Sequence, residues 1–376
     1  MRITMHTTTT ATCGIADYAR DLLLGLRGTV GVEVVPISPG QVNPARMLLV
    51  GRRLSAADLT HIHHNFGFWG RGSLSYRMMF QTLQRAITVP VVLTPHSVFP
   101  ARPRKWNGSL KGLAIQVLGL HEFMDRRTYL FANRIIVHSR CHFRLLAERG
   151  IPPERLVEIM PGVPEVSLPP ALAVEQFRRA WGLQGKRVLG LFGFIQPNKN
   201  YELLVRALPH LPSDVVLVFV GGVRTAGEAW YGRRLEALAS SQGVAQRVRI
   251  TGFLPREQLG PALSAVDLFV LPYAADSSVS YSARLCLAYE KPLLASAVDA
   301  FQELRERNRC LELFTTADPA ALAGHVLELL NDPARRAALV EQGRAYNRER
   351  SWRRVAAETL NVYRSLAGHT ACASSS

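Results

Sequence analysis

The chain has 376 residues, room for two domains of ordinary size, with 48% hydrophobic and 20% charged residues, which reads as a soluble globular protein. Its longest apolar runs, such as Val215–Val220 and Leu268–Leu271, are strand-length and too short to span a bilayer. The net charge of +16 will draw anionic partners, but no zinc-finger, RNA-platform or basic-zipper motif accompanies it, so nucleic acid is not an expected partner.

Met1–His6 reads as a short strand, not a charged-then-apolar leader, so the expected location is the cytoplasm. Strand-like runs then alternate with helical ones. Arg2–Met5, Val32–Ile37, Leu59–His63, Pro90–Thr94, Arg134–Ser139 and Leu156–Met160 read as strands, and Ile15–Leu26 and Cys141–Arg149 as helices. The proline-rich segment Pro161–Pro170 (PGVPEVSLPP) can continue neither a helix nor a central strand and marks a linker. The alternation resumes beyond it. Arg187–Phe192, Val215–Val220, Val248–Thr251, Leu268–Leu271 and Leu293–Ser296 are strands. Tyr201–Leu208, Gly232–Ser240, Ser282–Tyr289, Pro319–Leu330, Pro333–Arg350 and Trp352–Leu366 are helices. The fold class is therefore α/β, with two Rossmann-like halves. The expected division is 1–160, a linker over 161–170, a second domain over 171–345, a helix over 346–366 returning to the first domain, and a disordered tail over 367–376.

In such sheets ligands collect at the carboxyl ends of the strands, and there the polar residues gather. Thr12–Tyr18 (TCGIADY) follows the first strand; Gly14 is either a plain turn or a point where backbone amides approach a phosphate. There is no G-x-G-x-x-G, so a dinucleotide cofactor gains no support. His61-Ile62-His63-His64-Asn65 places three histidines in four residues, but consecutive strand residues face opposite ways and no carboxylate-rich partner exists, so a polar cleft edge is favoured over a metal. The five cysteines (Cys13, Cys141, Cys286, Cys310 and Cys372) form no CxxC pair and read as reduced apolar residues. His96 ends another strand and is suited either to a sugar hydroxyl or to packing under a loop. Lys199, one of only five lysines, sits where a helix begins; a cation there opposes the helix dipole unless a phosphate shares the site. Ser277–Ser282 precedes a helix and reads as an N-cap or as an anion- or sugar-binding rim. Arg102–Lys111 (RPRKWNGSLK) mixes cations with a tryptophan, as a solvated loop or as a contact with an anionic membrane surface at its inner face.

Seven of these segments, in order, resemble the GT-B glycosyltransferases of retaining family 4. They are TCGIAD, HHNFGFWG (63–70), LTPHSVFP (93–100), FGFIQPNKNYELL (192–204), TGFLPREQL (251–259), VDLFVLPY (266–273) and LAYEKPLLAS (287–296). The resemblance implies two facing domains, a nucleotide-sugar donor (UDP- or GDP-linked) as co-substrate with no other cofactor and no metal, and a glycan, lipid-linked or small-molecule acceptor. It implies that Gly14 offers its amide to the diphosphate, His96 touches the sugar, and Lys199 neutralises the leaving diphosphate. Phe253 and Leu254 meet the base, and Ser278, Ser280, Tyr281 and Ser282 face the sugar and distal phosphate. His64 and Asn65 fall on the acceptor side. The family's two glutamates, separated by seven residues, map to Ser277 and Leu285, and no glutamate occurs between Glu257 and Glu290. Asp276 lies beside the first position and is the candidate substitute. Gln196 stands where the family carries an arginine. Two lost carboxylate–hydroxyl bonds at about 1.5–3 kcal/mol each predict either an altered donor pocket or a catalytically inactive binding or scaffolding homologue.

Overall fold

Valine-, isoleucine- and leucine-rich runs become central strands when both faces of a sheet are covered. The computed structural model, which describes residues 1–10, 13–38, 42–69, 73–98, 126–223, 226–274 and 279–373, assembles such runs into two separate parallel sheets. One belongs to a unit formed by residues 1–162 with the segment from Trp352, the other to a unit containing most of the residues between.

In the first unit, strands β1 (Arg2–Thr8), β2 (Gly31–Ile37), β3 (Leu59–His64), β4 (Val91–Pro95), β5 (Arg134–Val137) and β6 (Leu156–Glu158) lie in the order β2-β1-β3-β4-β5-β6. Helices α1 (Gly14–Leu26), α2 (Pro44–Leu54), α3 (Ser73–Ala86) and α4 (Arg140–Glu148) connect or flank them. One face packs Ile62, Leu93, Ile135 and Val137 against Met47, Phe80, Leu83 and Leu146 of α2, α3 and α4. The other packs Ile3, Met5, Leu59, Val92 and Ile136 against Leu22 and Leu26 of α1.

The second unit orders β7 (Arg187–Phe192), β8 (Val215–Val220), β9 (Val248–Ile250), β10 (Leu268–Leu271), β11 (Leu293–Ser296) and β12 (Glu312–Phe314) as β12-β11-β10-β7-β8-β9. Its helices are α5 (Ala171–Ala180), α6 (Tyr201–Ala207), α7 (Ala229–Ser241), α8 (Arg256–Ser264), α9 (Tyr281–Ala288), α10 (Asp299–Asn308), α11 (Pro319–Asn331) and α12 (Pro333–Glu349). The last helix, α13 (Trp352–Ala373), runs past the end expected at Leu366 and into the segment expected to be a disordered tail. Helices α2, α3, α5, α8 and α10 were not anticipated. Three of them start at a proline signal that reads as a break: Pro44 opens α2 behind an Asn43 cap, and Pro170 and Pro255 precede α5 and α8.

Helix α13 completes the first unit's core. Trp352, Val355, Ala356 and Tyr363 join Ile3, Met5, Tyr18 and Leu22 in one cluster. The approach is close: a Cβ on Gly25 of α1 would lie 2.7 Å from the Trp352 carbonyl oxygen and 2.8 Å from the Ala356 Cβ. Gly14, at the start of the same helix, has nothing within 4 Å of such a Cβ. Gly25→Val should therefore cost roughly 1–3 kcal/mol by overpacking and lower the melting temperature by several degrees, whereas Gly14→Ala should leave it within a degree. Differential scanning fluorimetry of the two variants separates these outcomes.

Candidate active site

A parallel sheet brings all its strand carboxyl ends to one edge, and ligands favour the point where the strand order reverses. In the first unit that point lies between β1 and β3, in the second between β7 and β10. Among the described residues, His63 and His96 fall at the first edge and Lys199, Ser280 and Ser282 at the second.

At the first edge the face shared by α1 and α13 changes character along each strand. Its amino-terminal half is apolar (Ile3, Met5, Leu59, Val92 and Ile136), and its carboxyl half carries imidazoles. His61 bridges Thr94 Oγ1 and the Tyr363 hydroxyl, each at 2.7 Å. His63 lies between His61 (edge-on, ring centroids 4.6 Å apart) and His96 (tilted, 5.2 Å), and His96 reaches His138 at 5.2 Å. Tyr18 of α1 contacts the rings of His63, His96, His138 and Trp352. His61, His63 and His138 are buried, while His96 is half-buried at the rim with Asn65 and Ser97. The Asn65 amide donates to Ser97 Oγ at 3.4 Å. His64 does not join this group: strand alternation turns it to the other face, where Nε2 meets the Tyr76 hydroxyl at 2.8 Å and the ring packs on Phe66 and Phe80. His6 likewise points elsewhere, donating from Nδ1 to the Val35 carbonyl at 2.7 Å and packing on Trp69.

Burial disfavours imidazolium. It pushes His6 down to about 4, against a raising contribution from the Val35 carbonyl, and His64 down to about 3. Burial, then His138, pushes His61 to about 3, while His63 and His96 lie well below the ordinary value through burial and then neighbouring imidazoles. This edge is thus a set of neutral rings, each carrying one donor and one acceptor nitrogen. Neither ring nitrogen of His63 has a hydrogen-bond partner among the described residues, nor do Thr7 Oγ1 and Trp352 Nε1. No three His, Cys, Asp or Glu side chains converge on a metal-sized site among the described residues.

The second edge is cationic. Gly193 ends β7 at φ +121°, a left-handed backbone that only glycine adopts readily, and any Cβ there would collide with Lys199 Nζ and lie 2.9 Å from Ser282 Oγ. Lys199 lies in the 3₁₀ turn Pro197–Lys199, just ahead of α6 and not within it; Asn200, at φ 51°, makes the corner between them. Its ammonium donates to the Phe192 carbonyl at 3.3 Å and to Ser282 Oγ at 3.2 Å, with no carboxylate in ion-pairing range among the described residues. Ser280 caps α9, accepting from the Ala283 amide at 3.1 Å, and Tyr281 opens that helix. The edge therefore joins a cation to a helix amino terminus, the two elements that bind phosphate.

Gln196 donates to Glu228 at 3.3 Å, an acidic neighbour unforeseen from sequence. Phe253 is 55% exposed and meets Phe194 edge-on at 5.9 Å, with Leu254 half-buried beside it. Leu285 is buried in α9 beside Arg284, itself only 4% exposed and unforeseen from sequence. Asp276, Ser277 and Ser278 lie outside the described residues, as does Arg102–Lys111.

Comparison with known families matches residues 10–165 to Glycosyltransferase Family 4 and residues 186–332 to Glycosyl transferases group 1. The D-inositol 3-phosphate glycosyltransferase of Thermobispora bispora is 30% identical over 315 residues, covering 81% of this chain and 70% of that protein. Its counterpart from Xylanimonas cellulosilytica is 34% identical over 216 residues, which is 56% of this chain and 51% of that protein. Among solved structures, Anabaena HepE in complex with UDP and glucose is 18% identical, with a TM-score of 0.75 and coverage of 97% of this chain and 100% of that one. No helix among the described residues is long and apolar enough to cross a membrane.

The buried imidazoles set an acid limit. Their folded-state pKa values lie below the unfolded value near 6.5, so the stability they permit is complete above about pH 7 and declines as pH falls below 6.5 toward about 3–4. Each retained shift removes up to about 1.4 kcal/mol per pH unit in that window. Urea unfolding at pH 7.5, 6 and 5 should show a falling midpoint, and His63→Phe should flatten the slope by removing one of the groups. Identical slopes for the two proteins would contradict the assignment.

Proposed function

Because the chain belongs to the family 4 glycosyltransferases (glycosyl transferases group 1) and carries their GT-B fold, transferring a sugar from a nucleotide-sugar donor, we propose that the donor is a uridine diphosphate hexose. The observation that carries this reading is the Lys199 ammonium, uncompensated by any carboxylate among the described residues and set beside the capped start of α9. A diphosphate supplies the missing negative charge. The exposed ring of Phe253, edge-on to Phe194, offers an apolar flank for a base, and HepE, a protein of the same fold, binds UDP.

In this reading the sugar passes with retention of configuration to a hydroxyl of a glycan, a lipid-linked sugar or a small polyol. The acceptor hydroxyl attacks the anomeric carbon from the side of the leaving group. The bond from that carbon to the diphosphate oxygen breaks, the electron pair leaves with the diphosphate, and its oxygen takes the acceptor proton. Lys199 and the α9 amides stabilise the developing charge, so the scheme needs no metal ion. His96, the half-buried member of the neutral imidazole group, both donates to and accepts from sugar hydroxyls. Phosphate at that edge would find imidazoles held neutral by burial, which favours an uncharged polyol there. Asp276 is the proposed remaining carboxylate on the donor sugar. Arg102–Lys111 is the proposed contact with an anionic membrane surface when the acceptor is lipid-linked.

Lys199→Ala should lower UDP affinity by roughly 10- to 100-fold, the worth of one charged hydrogen-bond set, while leaving the melting temperature within about two degrees. Isothermal titration with UDP and GDP measures this and decides the base. An Ala variant that binds UDP as tightly as the parent protein would end the reading.

A further inference from the structure

A lysine ammonium rides on a flexible four-carbon stem, so a phosphate-binding lysine needs something to hold it in place. A carboxylate would do so, but it would also cancel the charge and compete with the phosphate. An aromatic face holds a cation without neutralising it. Lys199 has such a face: its Nζ lies 5.6 Å from the centroid of the Tyr273 ring.

Tyr273 is itself fixed on every side. It is 8% exposed, its ring meets Phe301 at 5.1 Å, and its carbonyl accepts from Ser296 Oγ at 2.8 Å. Its hydroxyl hydrogen-bonds Ser280 Oγ at 3.2 Å, the same oxygen that caps α9. The next residue ties the two loops together, the Ala274 amide donating to the Asn198 carbonyl at 2.9 Å, one residue ahead of Lys199. The loop after β10 therefore touches the cation, the helix cap and the backbone that carries the cation.

We propose that Tyr273 is the positioning residue of the phosphate site: its ring carries the Lys199 ammonium, and its hydroxyl ties that cation to the capped start of α9. The charged half and the backbone half of the site are thereby set as one piece. This inference rests on the donor reading above and deepens it, because it names what orients the lysine once no carboxylate does.

The test is a double-mutant cycle read by UDP titration on the full chain. Tyr273→Leu should weaken UDP binding by about 5- to 10-fold, the range for a partly desolvated cation–ring contact. Tyr273→Phe, which keeps the ring and loses only the tie to Ser280, should recover most of that affinity. Tyr273→Met fills the same space without a ring, and serves where the leucine variant does not fold. In a Lys199→Ala background, Tyr273→Leu should cost nothing further, since the residue acts through the ammonium. An equal loss in both backgrounds, or an unchanged affinity in Tyr273→Leu, overturns the proposal while leaving the donor reading standing. Absence of UDP binding in the parent protein, or an undiminished affinity in Lys199→Ala, overturns both.

Discussion

The direction shared by all neighbouring strands of each sheet governs the rest of the structure. A parallel sheet cannot be closed by hairpins, so every connection crosses a face and every strand ends at the same edge. Backbone carbonyls and side chains at that edge cannot all be covered by the crossing helices. The chain fills the two edges with opposite chemistry. One holds uncharged rings, kept neutral because burial makes imidazolium costly; the other holds an ammonium and a helix start. Hydroxyl-rich groups suit the first and phosphates the second.

Close approach of backbone to side chain is what makes the cationic edge possible. Gly193, Gly221 and Gly252 all adopt left-handed φ values, and a Cβ on Gly221 would strike the Gly193 carbonyl oxygen. These glycines leave the floor of the site bare, and Lys199 occupies the space that a side chain at Gly193 would take. Leu285, which the resemblance aligns with the family's second glutamate, is buried within α9.

The strands were legible because covered parallel strands read as unbroken apolar runs, as Val215–Val220 does. The surface helices were harder. Pro170 ends a segment that reads as a break, yet it stands just before a helix start, as Pro255 does, and Pro44 opens a helix; a missing amide costs nothing there. At the site, Lys199 was visible because a lysine is rare in this chain, and His96 because it follows a strand. The grouping of His63, His96 and His138 around Tyr18 was not visible, since it depends on a register joining residues far apart in the chain. His64 shows the opposite failure: neighbours in sequence, it and His63 are separated by the alternation of the strand. Tyr273 was hidden in an apolar-looking run, and nothing local signals that its ring meets a cation.

The placement of α13 has a consequence for how the molecule is made. Trp352, Val355 and Tyr363 belong to the same core as Ile3, Met5 and Leu22, although some three hundred residues of chain separate them. During synthesis the first sheet and α1 emerge early, whereas α13, which shares with α1 the covering of one face, follows every strand of the second unit. The second unit is continuous in sequence through most of its length. The first unit's core therefore cannot be completed until all the strands of the second have been made.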